Sequence, residues 1–183
     1  MRKAIFLDRD GVINKIIIKN GLPFSPSSFA ELEILPGVKE SILKLQKLNF
    51  LCLVVTNQPD VSRGKIKKKT VIKMNNYIKD ELKIDEIFVC YHDDHDNCKC
   101  RKPKPGLLLE ASKKWDIDLK KSYMIGDRWK DIEAGRCVGC KTIFIDCNYK
   151  ETKPKNPNFT TDSLLNAVHL IGQFQDNNQT IKK

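Results

Sequence analysis

Long hydrophobic runs are missing from this 183-residue sequence. The longest, Phe50 to Val55, has six residues, far short of the ~20 that cross a bilayer as a helix, so a membrane-spanning helix is excluded. Aromatic residues are scarce at 8%. The lysine runs, Lys65, Lys67, Lys68, Lys69 and Lys182, Lys183, have none interleaved, which is not the pattern of a single-strand nucleic-acid groove. Acidic residues are the minority, 23 Asp and Glu against 33 Lys and Arg, for a net +10. That excess favours anionic partners such as nucleic acid, an anionic membrane surface or a phosphorylated metabolite, and it also fits a plain Lys-rich solvated surface. Nor is a secretory leader expected, because Asp8 follows only the short apolar run Ala4 to Leu7. The expected compartment is the cytoplasm. There, seven cysteines, an odd number, read as metal ligands or buried thiols rather than disulfides.

The rest of the composition, 40% apolar and 31% charged, is ordinary for a globular protein, and the length suits one α/β domain. Strand-like runs at Lys3–Leu7, Phe50–Thr56, Ile87–Cys90, Ser122–Ile125 and Lys141–Ile145 alternate with helical periodicity. The helices are expected from Val38 through Leu48, Val71 through Leu82, Pro105-Gly106 through Trp115, Trp129 to Gly135 and Thr161 to Phe174. The alternation predicts a parallel sheet with helices on both faces. The domain is expected to span residues 1–174, with a polar tail over 175–183. In such a sheet ligands bind at the carboxyl ends of the strands. The residues there are Asp8-Arg9-Asp10-Gly11, Thr56-Asn57-Gln58, the segment from Cys90 to Lys102, and Gly126-Asp127-Arg128.

Asp8 and Asp10, two apart at a strand end, leave the backbone on the same face while Gly11 lets the chain turn. One carboxylate can serve as nucleophile and the other as proton shuttle. A calcium loop would need a third ligand before its glycine and a glutamate at position 12, and neither is present; a solvated turn is the plain alternative. Together with the strand ending in Thr56, the lysine of Arg101-Lys102-Pro103-Lys104-Pro105-Gly106 and the segment Ile125 to Asp131, the sequence resembles the haloacid-dehalogenase superfamily of aspartate-nucleophile phosphatases. The resemblance runs from Lys3 to about Asp146 and implies a Rossmann-like α/β core. It implies Mg²⁺ held by Asp8, Asp127 and the backbone carbonyl of Asp10, with Asp131 supporting. It implies Asp8 as nucleophile, Asp10 as acid and base, and Thr56 and Lys102 on the phosphoryl oxygens. Lys104 competes with Lys102 for that role.

Cys90, His92, Cys98 and Cys100 place three thiolates and an imidazole within eleven residues, a closed tetrahedral zinc set. His95, Asp93, Asp94 and Asp96 are rival ligands but read better as a solvated turn. Cys137 and Cys140 lack a second pair and read as buried thiols, Cys52 is expected to be inert in a core strand, and for Cys147 nothing follows. The zinc loop followed by Arg-Lys-Pro resembles the branch comprising the D-glycero-D-manno-heptose-1,7-bisphosphate 7-phosphatases and the histidinol-phosphate phosphatases. Thr56-Asn57-Gln58 with Arg63-Gly64 fits the heptose group, whereas Pro59-Asp60 departs from it, and the short loop spacing matches the histidinol group. The expected substrate is therefore a phosphorylated sugar, with histidinol phosphate or a nucleic-acid 3′-phosphate as alternatives. Asn57, Gln58, Arg101 and Arg128 are the candidate substrate contacts; Arg9 could add to them or be a rim charge. The interval from Asn14 to Leu35 is too short for a helical cap, so the site is expected to be capless, with Ile16 to Lys19 as a flap. No membrane partner and a monomeric state are expected.

Overall fold

Strand β1 (Lys3–Leu7) is buried on both faces, which is why it reads as an unbroken apolar run rather than an alternating one. Ile5 and Leu7 enter one core and Ala4 and Phe6 the other. The computed structural model describes residues 1–180, so Lys182 and Lys183 lie outside the described residues. After β1 come the short strands β2 (Ile17–Lys19) and β3 (Leu22–Phe24), then α1 (Val38–Lys47), β4 (Phe50–Asn57), α2 (Lys68–Leu82) and β5 (Glu86–Cys90). The second half holds α3 (Gly106–Trp115), β6 (Tyr123–Gly126), α4 (Trp129–Cys137), β7 (Lys141–Ile145), β8 (Phe159–Thr161) and α5 (Leu164–Thr180).

Six strands form one sheet in the order β5-β4-β1-β6-β7-β8, every neighbouring pair parallel. Val38, Ile42 and Leu45 of α1, Ile78 and Leu82 of α2, and Leu164, Val168 and Ile171 of α5 cover one face. Leu107, Leu108 and Ala111 of α3 and Ala134 of α4 cover the other. Each fully buried aliphatic side chain contributes about 1.5–3 kcal/mol. From β1 the chain builds outward through β4 and β5, then crosses to β6, β7 and β8 on the opposite side. The reversal opens a crevice at the carboxyl end of β1.

The five expected strands are present with ends shifted by a residue or less. The sheet edge and the last helix differ from expectation. The sheet has a sixth strand, β8, at its edge, so Thr161 ends a strand instead of opening a helix; Ser163 caps α5, its Oγ accepting from Asn166 N at 3.3 Å. α5 then continues through Thr180, past Phe174 and into the stretch read as a polar tail. Between β1 and α1 lie only the β2–β3 hairpin, turned by Asn20 and Gly21 at φ 55° and 82°, and one 3₁₀ turn at Phe29–Glu31. The architecture is capless, and among the described residues no helix is long and apolar enough to cross a membrane.

Candidate active site

The ends of β1 and β6 are tied by Asp8 N donating to Ile125 O at 3.0 Å. The loops that leave them come so close that two positions require glycine. A Cβ on Gly11, at φ 86°, would stand 2.0 Å from Asp127 Oδ2, and one on Gly126 would stand 2.2 Å from Asp131 Cβ. Backbone packing thus sets three carboxylates side by side. Asp8, Asp127 and Asp131 are all buried, with one oxygen of each within 4.8 Å of the others.

Lys102 is the cation at this cluster. Its buried ammonium lies 2.9 Å from Asp8 Oδ1 and 2.6 Å from Asp131 Oδ1, and it donates to Val55 O at 2.7 Å. Lys104 instead reaches Asn97 Oδ1 on the surface at 2.7 Å. One ammonium does not balance three carboxylates. Burial, then the Asp131 charge, push Asp8 up to about 6 against the pull of Lys102. Burial, then Asp8 and Asp131, hold Asp127 well above the ordinary carboxylate range. Both Asp127 oxygens are sealed from solvent without a well-formed hydrogen bond, the Tyr149 hydroxyl alongside giving partial relief. Orphaned hard oxygens in a cluster of excess negative charge fit a divalent cation such as Mg²⁺.

Asp10 lines the same pit under different electrostatics. It accepts from Arg9 Nε and Nη2, Asn14 Nδ2 at 2.9 Å, Ser25 Oγ at 2.8 Å and Gln58 Nε2 at 2.7 Å. Burial works against its charge, but the Arg9 guanidinium and these donors outweigh it and hold its carboxyl below the usual range. Arg9 is therefore neither a rim charge nor a substrate contact: it is fully buried, bridging Asp10 and Asn75 Oδ1. Thr56 Oγ1 accepts from Gln58 Nε2 at 3.0 Å. The Asn57 amide brackets the main chain of Lys102, donating to its carbonyl at 3.0 Å and accepting from its N–H at 3.1 Å. Asn57 and Gln58 thus hold neighbouring groups, while Asn57 also lines the pit.

The strand end of β5 opens the cysteine loop. The Sγ atoms of Cys90, Cys98 and Cys100 lie 3.3–3.7 Å apart, and His92 Nδ1 lies 3.6 Å from Cys90 and 3.4 Å from Cys100. Tetrahedral zinc, with bonds of ~2.3 Å to sulfur and ~2.0 Å to nitrogen, spaces its ligands by roughly 3.5–3.8 Å, so the four atoms fit one such ion. The acidic turn within the loop is more than a solvated turn. Asp93 pairs with Arg63 through Oδ1 at 2.6 Å and Oδ2 at 2.7 Å, and Asp94 Oδ1 accepts from Arg101 Nε at 2.7 Å. Asp96 accepts from Asp93 N at 2.7 Å, closing the turn. Cys52 and Cys140 are buried, and burial pushes both thiols up to about 12. Cys137, expected to be buried, is exposed at the end of α4, and Cys147 is half-buried near the Gly11 carbonyl.

The pit, about 50 Å³, opens into a cavity of about 270 Å³ roofed by Leu22, Pro23 and Phe24 of the hairpin. Arg63, Arg101, Arg128 and Lys130 line that cavity. Arg128 is held by Glu151, Nε to Oε2 at 2.8 Å with a second short contact. Ser25, Tyr149, Glu151 and Lys130 are the side chains that sequence reasoning missed here. Lys130 sits within the recognised Ile125–Asp131 segment, where its register was readable. The other three reach the site from distant loops and carried no local signal.

A HAD-hydrolase-like family model matches residues 99–167. The chain is 35% identical over 185 residues, 93% of this chain and 96% of the relative, to a D-glycero-beta-D-manno-heptose-1,7-bisphosphate 7-phosphatase of Vibrio cholerae. It is 38% identical over 151 residues, 78% of this chain and 81% of the relative, to a D-glycero-alpha-D-manno-heptose-1,7-bisphosphate 7-phosphatase of Campylobacter jejuni. A solved D,D-heptose 1,7-bisphosphate phosphatase from B. bronchiseptica, complexed with magnesium and phosphate, superposes with a TM-score of 0.81 at 26% identity, covering 93% of this chain and 98% of that one. The chain belongs to the haloacid-dehalogenase-like phosphatases, enzymes that hydrolyse phosphoric monoesters.

Proposed function

We propose that the protein is a Mg²⁺-dependent phosphatase that removes the 7-phosphate of a D-glycero-D-manno-heptose 1,7-bisphosphate through a phosphorylated Asp8. The observation that carries this reading is the two-part site: a small pit, with Asp8 facing Lys102, opening into a larger cavity lined by four cations. A bisphosphate places anionic charge in both parts. The names of the relatives support the same substrate class.

Asp8, Asp127 and the backbone carbonyl of Asp10 would hold the Mg²⁺, with Asp131 beside them. Its charge would offset the repulsion between a carboxylate and a phosphate dianion. Asp8 attacks phosphorus in line, forming an acyl phosphate as the ester P–O bond breaks. Lys102 and the Thr56 hydroxyl bind the non-bridging oxygens, where charge accumulates. Asp10 gives a proton to the departing alkoxide, then takes one from the water that cleaves the acyl phosphate. At rest Arg9 keeps Asp10 ionised, the form needed for the second step; a phosphate dianion entering the pit favours the protonated form needed for the first. In the cysteine loop, Cys90, His92, Cys98 and Cys100 would hold structural zinc, and the loop sets Arg101 and Lys102 at the site.

Asp10→Asn is expected to lower kcat by on the order of 10²-fold on an alkyl phosphate. An aryl phosphate, whose leaving group needs no proton, should lose much less in the first half-reaction, resolved as a burst. Losses within a factor of two on the alkyl substrate would take the acid–base role from Asp10. The substrate itself is tested by phosphate release from both anomers of the heptose bisphosphate, histidinol phosphate and a 3′-phosphorylated oligonucleotide, side by side. A kcat/KM higher on either heptose anomer than on the other two supports the reading; preference for histidinol phosphate or the oligonucleotide replaces it.

A further inference from the structure

Four cations line the cavity beyond the pit, and three of them already have a carboxylate in close contact. Arg63 pairs with Asp93 at 2.6 Å and Asp60 at 3.2 Å, Arg101 with Asp94 at 2.7 Å, and Arg128 with Glu151. Lys130 is left over. Its nearest carboxylate oxygen, Asp94 Oδ1, is 3.8 Å away and is already engaged by Arg101 Nε. Its other neighbour is the Trp129 ring, 5.7 Å from the ammonium. The side chain keeps 21% of its surface exposed, enough to be reached by a ligand and too little for full hydration. Burial, together with the charges of Arg101 and Arg128, lowers its pKa against the pull of Asp94 and Glu151. A cation held under such strain gains more from a new anion than a solvated one does.

The geometry points to Lys130 as the residue that recognises the second, non-reacting phosphate of the substrate. Lys130 lines both pit and cavity, but Asp94, the carboxylate nearest its ammonium, lines the cavity and not the pit. Its charge therefore faces the space beyond the scissile phosphoryl group, where Lys102 does not reach. A lysine suits the task because an ammonium with three rotatable donors binds a phosphate that need not be held in one plane. Arg101 and Arg128, anchored by Asp94 and Glu151, flank this position. The assignment rests on the bisphosphate reading and names the contact that would give it specificity.

The test compares wild type, Lys130→Met and Lys130→Arg on the heptose bisphosphate and on heptose 7-phosphate, which lacks the second phosphate. Wild type should prefer the bisphosphate. Lys130→Met should lose roughly 10–100-fold in kcat/KM on the bisphosphate, mostly as a raised KM, and change little on the monophosphate. Lys130→Arg should restore most of the preference. Thermal melting controls for folding, and replacing a lysine that makes no short ion pair by methionine should leave the midpoint nearly unchanged. If wild type prefers the bisphosphate and Lys130→Met keeps that preference, the assignment is wrong while the heptose reading stands. Equal losses on both substrates would place Lys130 on the transferring phosphoryl group or behind Arg101 and also overturn it. A wild type indifferent to the second phosphate would overturn the bisphosphate reading, and the assignment with it.

Discussion

Asp8→Asn is expected to abolish turnover, by on the order of 10⁴-fold or more, while leaving the fold intact. The amide matches the carboxylate in volume but cannot displace an alkoxide from phosphorus, so the acyl-phosphate-forming step of the proposed mechanism would have no substitute. Folding should not suffer. Asp8 is one of three buried carboxylates facing a single lysine, and burial together with Asp131 already pushes it up to about 6. Removing its charge relieves repulsion with Asp127 and Asp131, and Lys102 keeps its 2.6 Å partner Asp131. In a chelator the variant should melt no lower than wild type. Added Mg²⁺ should raise the midpoint of wild type and raise that of the variant less, since one hard ligand is lost. Single-turnover mixing with labelled substrate followed by acid quench should trap phosphate on the wild-type protein and none on the variant. Turnover within tenfold of wild type would remove Asp8 as the nucleophile.

The sheet was legible in the sequence wherever burial is two-sided. β1, β4 and β7 are continuous runs such as Ala4 to Leu7 because helices cover both faces, and such runs cannot be mistaken for a solvated loop. β8 escaped because Phe159–Thr161 is three residues long and half-buried on the edge, so neither length nor pattern sets it apart. The β2–β3 hairpin carried a signal that went unread: Asn20-Gly21 supplies the two positive φ angles of a tight hairpin turn. Helix starts were shifted where the cap lay elsewhere, as with Ser163 before α5.

In the site, position at a strand end was the readable quantity. It brought Asp8, Asp127 and Lys102 together correctly, because parallel strands deliver their carboxyl ends to one edge. Side-chain direction was not readable. Arg9 stands between two aspartates at that edge, yet its guanidinium turns inward to Asp10 and Asn75 and is fully buried. Whether a charged residue faces solvent or a buried partner depends on groups 66 residues away, here Asn75. The same holds for Asp93 and Asp94, which local composition presents as a solvated turn and tertiary contact converts into anchors for Arg63 and Arg101.

Those anchors bear on the cysteine loop. Replacing Cys98 or Cys100 with Ser is expected to lower the melting midpoint by several degrees and to cut kcat/KM by roughly tenfold or more, although neither side chain touches the pit. Zinc binding by a closed set of thiolates is folding free energy for the segment that carries them. Here that segment presents Asp93 to Arg63, and Asp94 and the His92 carbonyl to Arg101, and it leads directly into Lys102. Loosening it should relax the cavity wall first and Lys102 second, though Asn57 still brackets the Lys102 main chain. KM should therefore rise more than kcat falls. About one zinc per chain is expected in wild type by metal analysis, with a tetrahedral thiolate spectrum on cobalt substitution and neither in the variants. Mg²⁺ should behave oppositely: brief EDTA followed by Mg²⁺ should restore wild-type activity, because a cation on oxygen ligands at the strand ends would exchange quickly while a soft-ligand site would keep its ion. Serine variants with full activity, unchanged melting and no zinc in the wild type would show that the cysteines pack without a metal.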